Sequence, residues 1–254
     1  MTGNTLHSPG PTTATGPTTA APTPSRRVTD AATRTLHWLM ALSFTGAYLT
    51  ADGERWRLVH VTLGYTLAGL LVARVLWGLF GPRHARLSAL WRKLQGLPAW
   101  LQSLAAVRSP SALQTVWRPG QNLLMALAVA LILALVLPLT LSGYAVWDEW
   151  GGEWLEEVHE FFGNALLGVV LAHIGLIALL SVLRRKNQAL PMLTGRVPGP
   201  GPGPDLAKKN HALLAAAIVL TVVAFWAWQW NAAPSAPTPV ATAWSENRHS
   251  DHDD

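Results

Sequence analysis

The strongest constraint on this chain is a single apolar run that contains a histidine. From Phe161 to Leu183 the sequence has no Asp, Glu, Lys or Arg, and His173 is the only titratable side chain. A run of this length can cross a bilayer as a helix, since about 20 apolar residues suffice. We therefore expect a membrane-spanning helix with one histidine inside it.

A second histidine, His159, lies just before the same run, 14 residues ahead of His173. On an α-helix the two side chains would point within about 40° of each other, at levels about 21 Å apart along the axis. Two imidazoles on one face at two depths suggest two stacked cofactors. A second interpretation stays open, in which His173 faces the bundle and bonds a backbone carbonyl of a neighbouring helix.

Composition supports a membrane protein and narrows its chemistry. Charged residues make up 13% of the chain, against roughly 25% in soluble domains. The 13 Trp fit an interfacial aromatic belt. The absence of Cys excludes c-type haem attachment, cysteine-ligated iron–sulfur clusters and disulfides. The net charge of +5 is better explained by membrane topology than by nucleic-acid binding, because the cations flank apolar segments.

Apolar segments and linkers divide the chain into five regions and predict an all-α integral membrane protein. No charged n-region precedes an apolar h-region, so we expect no cleaved signal peptide. The regions are a disordered arm at 1–29, a membrane domain at 30–197 with spans at about 34–51, 56–80, 120–145 and 156–183, a Pro/Gly linker at 198–210, a fifth span at 211–230 and a disordered tail at 231–254.

The distribution of charge predicts the topology. Cations without acids fill the segment from Pro82 to Gly120, and cations follow the fourth span, whereas the Asp148–Glu160 loop holds six acids and no Lys or Arg. Lys and Arg favour cytoplasmic loops. The N-terminus is therefore expected in the cytoplasm, the acidic loop and the C-terminus in the periplasm, and the protein in the bacterial inner membrane.

This topology sorts four histidines into two pairs by depth. His60 and His159 form an outer pair, and His37 and His173 an inner pair. Bundles build cofactor sites from side chains on facing helices. Because haem iron accepts imidazole nitrogen and the chain has no Cys, each pair is interpreted as the two ligands of a b-type haem. The fold class expected is a four-helix transmembrane di-haem bundle plus a fifth C-terminal transmembrane helix.

Three further residues fit this interpretation. Gly64 and Gly163 each follow an outer histidine by four residues and remove a side chain where a flat macrocycle would approach. Small residues also ease helix packing in lipid, so that explanation stays open. Arg74 lies 14 residues after His60 and could pair with a haem propionate, or extend to the cytoplasmic interface.

Short motifs around these histidines resemble bacterial cytochrome b561 and the related b-type subunits of nickel–iron hydrogenases, over about residues 28–197. The motifs are Arg34-Thr-Leu-His37-Trp38, Leu58-Val-His60 through Gly64-Tyr65, Arg74-Val-Leu-Trp77-Gly78, His159-Glu160 and Leu171-Ala-His173-Ile174-Gly175. The resemblance implies two b haems in a four-helix bundle, with His37, His60, His159 and His173 as ligands. It also implies electron transfer between the quinone pool and a redox partner. Arg34, the first residue of the first motif, is a further cofactor-binding candidate.

The chain departs from that pattern at Gln121, where relatives often have histidine, and in its fifth span and tail. No fused dehydrogenase domain is present, so a periplasmic c-type cytochrome or a dehydrogenase subunit is the expected partner. Two other functions stay open: a superoxide- or other small-molecule:quinone oxidoreductase, and a non-haem proton or metal relay. His84 and the tail pair His249 and His252 are expected to be solvated, and His211 interfacial.

The predicted topology can be tested by labelling, because the protein has no cysteine of its own. A cysteine placed at residue 105 should be shielded from an impermeant thiol reagent in cells with a permeabilised outer membrane and an intact inner membrane. A cysteine at residue 152 is the matched periplasmic position and should react. Labelling of the first and protection of the second would reverse the topology.

Overall fold

The computed structural model describes residues 25–198 and 206–232. Most of the predicted N-terminal arm, part of the Pro/Gly linker and the tail with His249 and His252 lie outside the described residues. The helices are α1 (Ala31–Leu49), α2 (Arg57–Phe80, after a 3₁₀ turn at Glu54–Trp56), α3 (Leu87–Leu94), α4 (Leu97–Ala105), α5 (Pro110–Trp147), α6 (Glu153–Leu183), α7 (Leu190–Leu193) and α8 (Ala212–Ala232).

Four of these segments are long and apolar enough to cross a membrane, which confirms the prediction of an α-helical membrane protein. They are Glu54–Phe80, Thr115–Trp147, Glu153–Leu183 and Ala212–Ala232. The first predicted span, which corresponds to α1, is not among them. Its sequence includes Arg34, His37 and several hydroxyl side chains, so its place in the bundle depends on packing against α2 and α8 more than on its own hydropathy.

Side chains from four helices meet in one apolar cluster at the centre of the molecule. Phe44 comes from α1, Leu67 and Leu71 from α2, Val136 and Leu139 from α5, and Leu166 from α6. Tight pairs run along α5 with α6 and α1 with α2, while α2 also packs on α5. The four helices thus form one bundle around this apolar cluster.

The fifth helix, α8, packs on the α1–α2 side of this bundle. Val222 of α8 is buried with Leu36 and Leu70, and the Trp226 indole Nε1 donates to the hydroxyl of Thr66 at 2.8 Å. Such interhelical hydrogen bonds in lipid contribute about 0.6 kcal/mol each on average. The linker therefore does not leave α8 separate from the bundle.

The predicted disordered arm and the predicted Pro/Gly linker each contain ordered residues where the structure describes them. Ser25–Arg27, within the predicted arm, form a strand, β1, that pairs antiparallel with β2 at Arg196–Pro198. Within the predicted linker, Leu206 N donates to Arg27 O at 2.9 Å and Ala207 is fully buried. Ala31 N donates to Asn210 O at 2.8 Å, which joins the first turn of α1 to the segment before α8. We call residues 25–30, 190–198 and 206–211 the terminal cap.

The helix that carries the third span, α5, begins at Pro110, about ten residues before the predicted start of that span. Ser109 caps α5 by accepting from Ala112 N, and the helix continues through Pro119 and Pro138. The sequence prediction placed the residues up to Gly120 in the segment between the second and third spans. Trp100 of α4 instead packs against Gly120 so closely that a Cβ there would collide with its ring, and Trp100 Nε1 donates to Val116 O at 3.0 Å. Tertiary packing therefore covers this turn.

The expectation that His84 is solvated is wrong. Its Nε2 pairs with the carboxylate of Asp30, which is fully buried. The other carboxylate oxygen accepts from Thr33 N at 2.7 Å and caps α1. A buried carboxylate requires such partners because its desolvation is costly, so His84 fixes the α2–α3 loop to the start of α1.

Candidate functional site

The outer pair of histidines meets across the bundle. His60 lies in the first turn of α2 and His159 in the second turn of α6. Their ring centroids are 6.0 Å apart, with the ring planes at 81°. The structure therefore brings together the two outer side chains that the sequence assigned to one site.

Backbone carbonyls hold both outer rings through the same nitrogen. His60 Nδ1 lies 2.8 Å from Ala47 O of α1, and His159 Nδ1 lies 3.1 Å from Leu139 O of α5. A carbonyl oxygen can only accept, so each Nδ1 carries the proton and each Nε2 keeps its lone pair. Neither Nε2 has a hydrogen bond among the described residues. This is the arrangement that metal-binding histidines adopt, because the second hydrogen bond fixes the tautomer and the ring orientation.

The spacing of the outer rings fits one metal ion between two imidazoles. A metal–nitrogen bond is about 2 Å long, so two imidazoles that share one ion have their coordinating nitrogens within about 4 Å of each other. Ring centroids 6.0 Å apart are compatible with such a site. Among the described residues no group of three or more His, Cys, Asp or Glu side chains could hold a metal ion, so the donor set here consists of two imidazoles.

The inner pair, His37 of α1 and His173 of α6, is half-buried, and the pairing of these two side chains stays a prediction. His173 Nδ1 is buried and has no hydrogen-bond partner in the described part of the chain. This argues against the interpretation in which that nitrogen bonds a neighbouring carbonyl. A buried polar atom without a partner costs about 1–3 kcal/mol.

Whereas α6 packs along α5 and α1 packs along α2, α6 makes little backbone contact with α1 or α2. This leaves a gap between α6 and the α1–α2 pair. Gly64 of α2 and Gly163 of α6 each follow an outer histidine by four residues, which places them on nearly the same helix face as that histidine. A Cβ at Gly64 would meet no atom within 4 Å, and one at Gly163 would meet only Leu139 Cδ1 at 3.8 Å. Neither glycine is therefore required by close helix packing, which favours the interpretation that they leave room for a flat ligand.

The two candidate arginines already have carbonyl partners in the protein. Arg34 Nη1 donates to Leu193 O at 3.0 Å, and Arg74 Nη1 donates to Ala85 O at 3.2 Å in the α2–α3 loop. Arg74 thus makes the contact expected if its side chain extends toward the end of its span, which was the alternative to pairing with a haem propionate. The contact of either arginine with a haem propionate stays a prediction.

The sequence alone did not identify the residues that contact the two outer histidines. Two of them act through backbone carbonyls, Ala47 and Leu139, which leave no mark in a sequence. Ser142 Oγ lies 3.3 Å from His159 Nδ1, and a Cβ at Gly143 would lie 2.7 Å from His159 Cε1. The adjacent Ser142-Gly143 pair near the end of an apolar span was the one available signal, because small residues mark a close approach in lipid.

A comparison with protein families agrees with this geometry. The family model of prokaryotic cytochrome b561 matches residues 28–195. The chain belongs to the prokaryotic cytochrome b561 family. No curated protein and no solved structure matches it.

Membership of the prokaryotic cytochrome b561 family defines the general function. The chain is a multi-pass membrane cytochrome of the b type that takes part in electron transfer, in a family that typically binds haem b. All eight candidate residues lie inside the matched region, whereas α8 lies outside it. The outer pair, with ring centroids 6.0 Å apart, is compatible with the haem b that this family typically binds.

The contact between Gly143 and His159 gives a specific prediction. The substitution Gly143→Ala should displace the His159 ring, because overpacking of this kind costs about 1–3 kcal/mol. The purified variant should therefore contain less haem, and one of its redox components should be reduced. Gly168→Ala is the control, since Gly168 lies on the exposed side of α6 with no atom within 4 Å of an added Cβ. The measurement is a quantitative haem assay and a redox titration of both variants. Equal haem content in the two variants would contradict the assigned contact.

Proposed function

We propose that this chain is a di-haem b cytochrome of the inner membrane that passes electrons between the quinone pool and a redox partner. The observation that carries the proposal is the meeting of His60 with His159 across the bundle at a spacing suited to one metal ion. The inner pair, His37 and His173, supplies a second donor set deeper along α6. Family membership supports the same chemistry.

In this proposal His60 and His159 hold the outer haem, and His37 and His173 the inner haem. Each haem, when bound, supplies one-electron exchange between ferric and ferrous iron. The hydrogen bonds from Nδ1 to Ala47 O and Leu139 O keep both outer rings oriented and raise the basicity of the coordinating nitrogen. The protein thereby sets the ligand geometry before any electron arrives.

The apolar cluster between the helices keeps water from this region. Leu139 contributes its carbonyl to His159 and its side chain, together with Phe44, Leu67 and Leu166, to the buried core. A low-dielectric surrounding strengthens electrostatic interactions and contributes to the redox potential of a bound metal centre. Packing and cofactor tuning therefore use the same residues.

The acidic α5–α6 loop is the proposed docking surface for a soluble partner. In the proposed topology it lies in the periplasm, beside the outer haem. Glu149, Glu153, Trp150 and Trp154 are exposed there. Surface potentials of one sign steer partners of the opposite sign, so a basic periplasmic c-type cytochrome or dehydrogenase subunit fits. The same potential disfavours an anionic substrate such as superoxide.

A non-haem proton relay is less well supported. Such a relay needs a continuous chain of hydrogen bonds between the two depths. Within the described residues, no hydrogen bond connects the outer pair to the inner pair, and each outer Nδ1 bonds a helix carbonyl. A reduced-minus-oxidised spectrum of membranes with the expressed protein separates the two functions, since a relay without haem would show no b-type bands.

The pairing itself is tested by four single substitutions. His60→Ala and His159→Ala should remove the same outer redox component, and His37→Ala and His173→Ala the same inner one. Each variant should keep about one haem per protein. A double substitution within one pair should remove little more than either single change, because partners in one site are not additive. Haem stoichiometry and redox titration provide the measurement.

The opposite grouping would reject this assignment. If His37→Ala and His159→Ala abolish one component while His173→Ala abolishes the other, the depth argument is wrong. Retention of two haems in all four variants would reject histidine ligation by these residues.

The gap beside Gly64 gives an independent prediction. Leucine at Gly64 should occupy the space proposed for the macrocycle and should abolish binding of the outer haem. Gly69→Leu is the matched control on the same helix, since Gly69 also has no atom within 4 Å of an added Cβ but is exposed. Haem assay of both purified variants is the measurement. Full haem content in the Gly64→Leu protein would show that the gap has another purpose.

A further inference from the structure

A groove lies between α1, α7 and α8, on the face of α1 next to His37. Its volume is about 320 Å³, and its lining includes Arg34, Trp38 and Leu39 of α1, Leu193 of α7 and Val219 of α8. The α8 wall lies outside the region matched by the family model. The groove is therefore formed jointly by the family fold and by the helix that this chain adds to it.

The groove descends from the membrane interface into the apolar zone. The segments that open α1 and α8 are joined by the hydrogen bond from Ala31 N to Asn210 O, so both helices start at the same level. Leu39 lies eight residues beyond Ala31, which corresponds to about 12 Å along a helix. One end of the groove is thus polar and interfacial, and the other is lined by Leu39 and Val219.

Arg34 at the polar end has an unbalanced positive charge. Its Nη1 donates to Leu193 O, but its buried Nε has no hydrogen-bond partner, and no carboxylate pairs with it among the described residues. A guanidinium has five N–H donors. A cation at the edge of a bilayer needs an anion or water to compensate its desolvation. A negatively charged oxygen group is therefore the kind of ligand that would complete this end of the groove.

Trp38 shapes the same end of the groove. Its Nε1 donates to Met192 O at 3.0 Å, and its ring remains 42% exposed. Tryptophan prefers the headgroup level of a bilayer, where an apolar ring and a polar N–H are both accommodated. The ring is held as a rigid wall between the charged end and the apolar end.

We propose that this groove binds an anionic phospholipid, with the phosphate at Arg34 and an acyl chain along Leu39 and Val219. Basic pockets between helices at the cytoplasmic side are suited to such headgroups. The proposal takes its leaflet from the proposed topology, in which the N-terminus is cytoplasmic, and does not depend on haem ligation. A neutral quinone would fill the apolar end but would leave the charge of Arg34 uncompensated.

The test uses the full-length protein, purified in mild detergent and delipidated, with phosphatidylglycerol and phosphatidylcholine as probes. Native mass spectrometry measures the bound lipid, and haem content is measured in parallel. Phosphatidylglycerol should bind the wild-type protein, and Arg34→Gln should weaken it about fivefold. Arg34→Lys should recover part of the binding. Arg92→Gln, which removes an exposed cation from α3, is the control and should bind as the wild type does.

A second variant keeps the test valid if Arg34→Gln fails to fold. Val219→Trp fills the apolar end from α8 and leaves Arg34 and its bond to Leu193 in place, so it should also lose the lipid. Equal binding of the two phospholipids, or equal loss in Arg34→Gln and Arg92→Gln, overturns the proposal. Loss of haem with unchanged lipid binding in Arg34→Gln overturns it in favour of a cofactor carboxylate at Arg34. Failure of the haem assignment alone leaves lipid binding unchanged, so the two proposals are tested separately.

Discussion

The hydrogen bond from an imidazole Nδ1 to a helix carbonyl is the interaction on which the outer site depends. His60 uses Ala47 O of α1 and His159 uses Leu139 O of α5. Each ligand on one helix is thereby oriented by the backbone of another, so all four bundle helices contribute to one pair of rings. A helix carbonyl is a stable anchor because its position is set by the whole helix and not by a side-chain rotamer.

The inner pair is organised differently. His173 Nδ1 has no partner among the described residues, and His37 contacts the ring of Trp38 edge-on at 5.3 Å between centroids. Hydrogen bonding to a ligating imidazole raises its basicity and stabilises the more oxidised metal. In the proposed di-haem arrangement the two haems would have the same kind of ligand in different surroundings, and they are therefore expected to differ in redox potential.

Hydropathy was enough to predict an α-helical membrane protein, and histidine depth placed His60 with His159, whose ring centroids the structure brings to 6.0 Å. Hydropathy made the spans visible because each must satisfy its own backbone in lipid. The sequence did not reveal the carbonyls of Ala47 and Leu139, since every residue carries the same backbone groups. It also missed the start of α5 at Pro110, about ten residues before the predicted span, because the contact of Trp100 with Gly120 that covers this turn is tertiary.

The terminal cap links the two ends of the described chain, and this has a consequence for biosynthesis. The start of α1 and the residues before it are joined to Gly195 and Asn210 through backbone hydrogen bonds at Val28 and Ala31, yet those partners are translated 167 and 179 residues later. The helix α1 is also the least apolar of the long helices, and these contacts can form only after residue 210 has been synthesised. The start of α1 therefore reaches its final packing late, when most of the bundle has already been made.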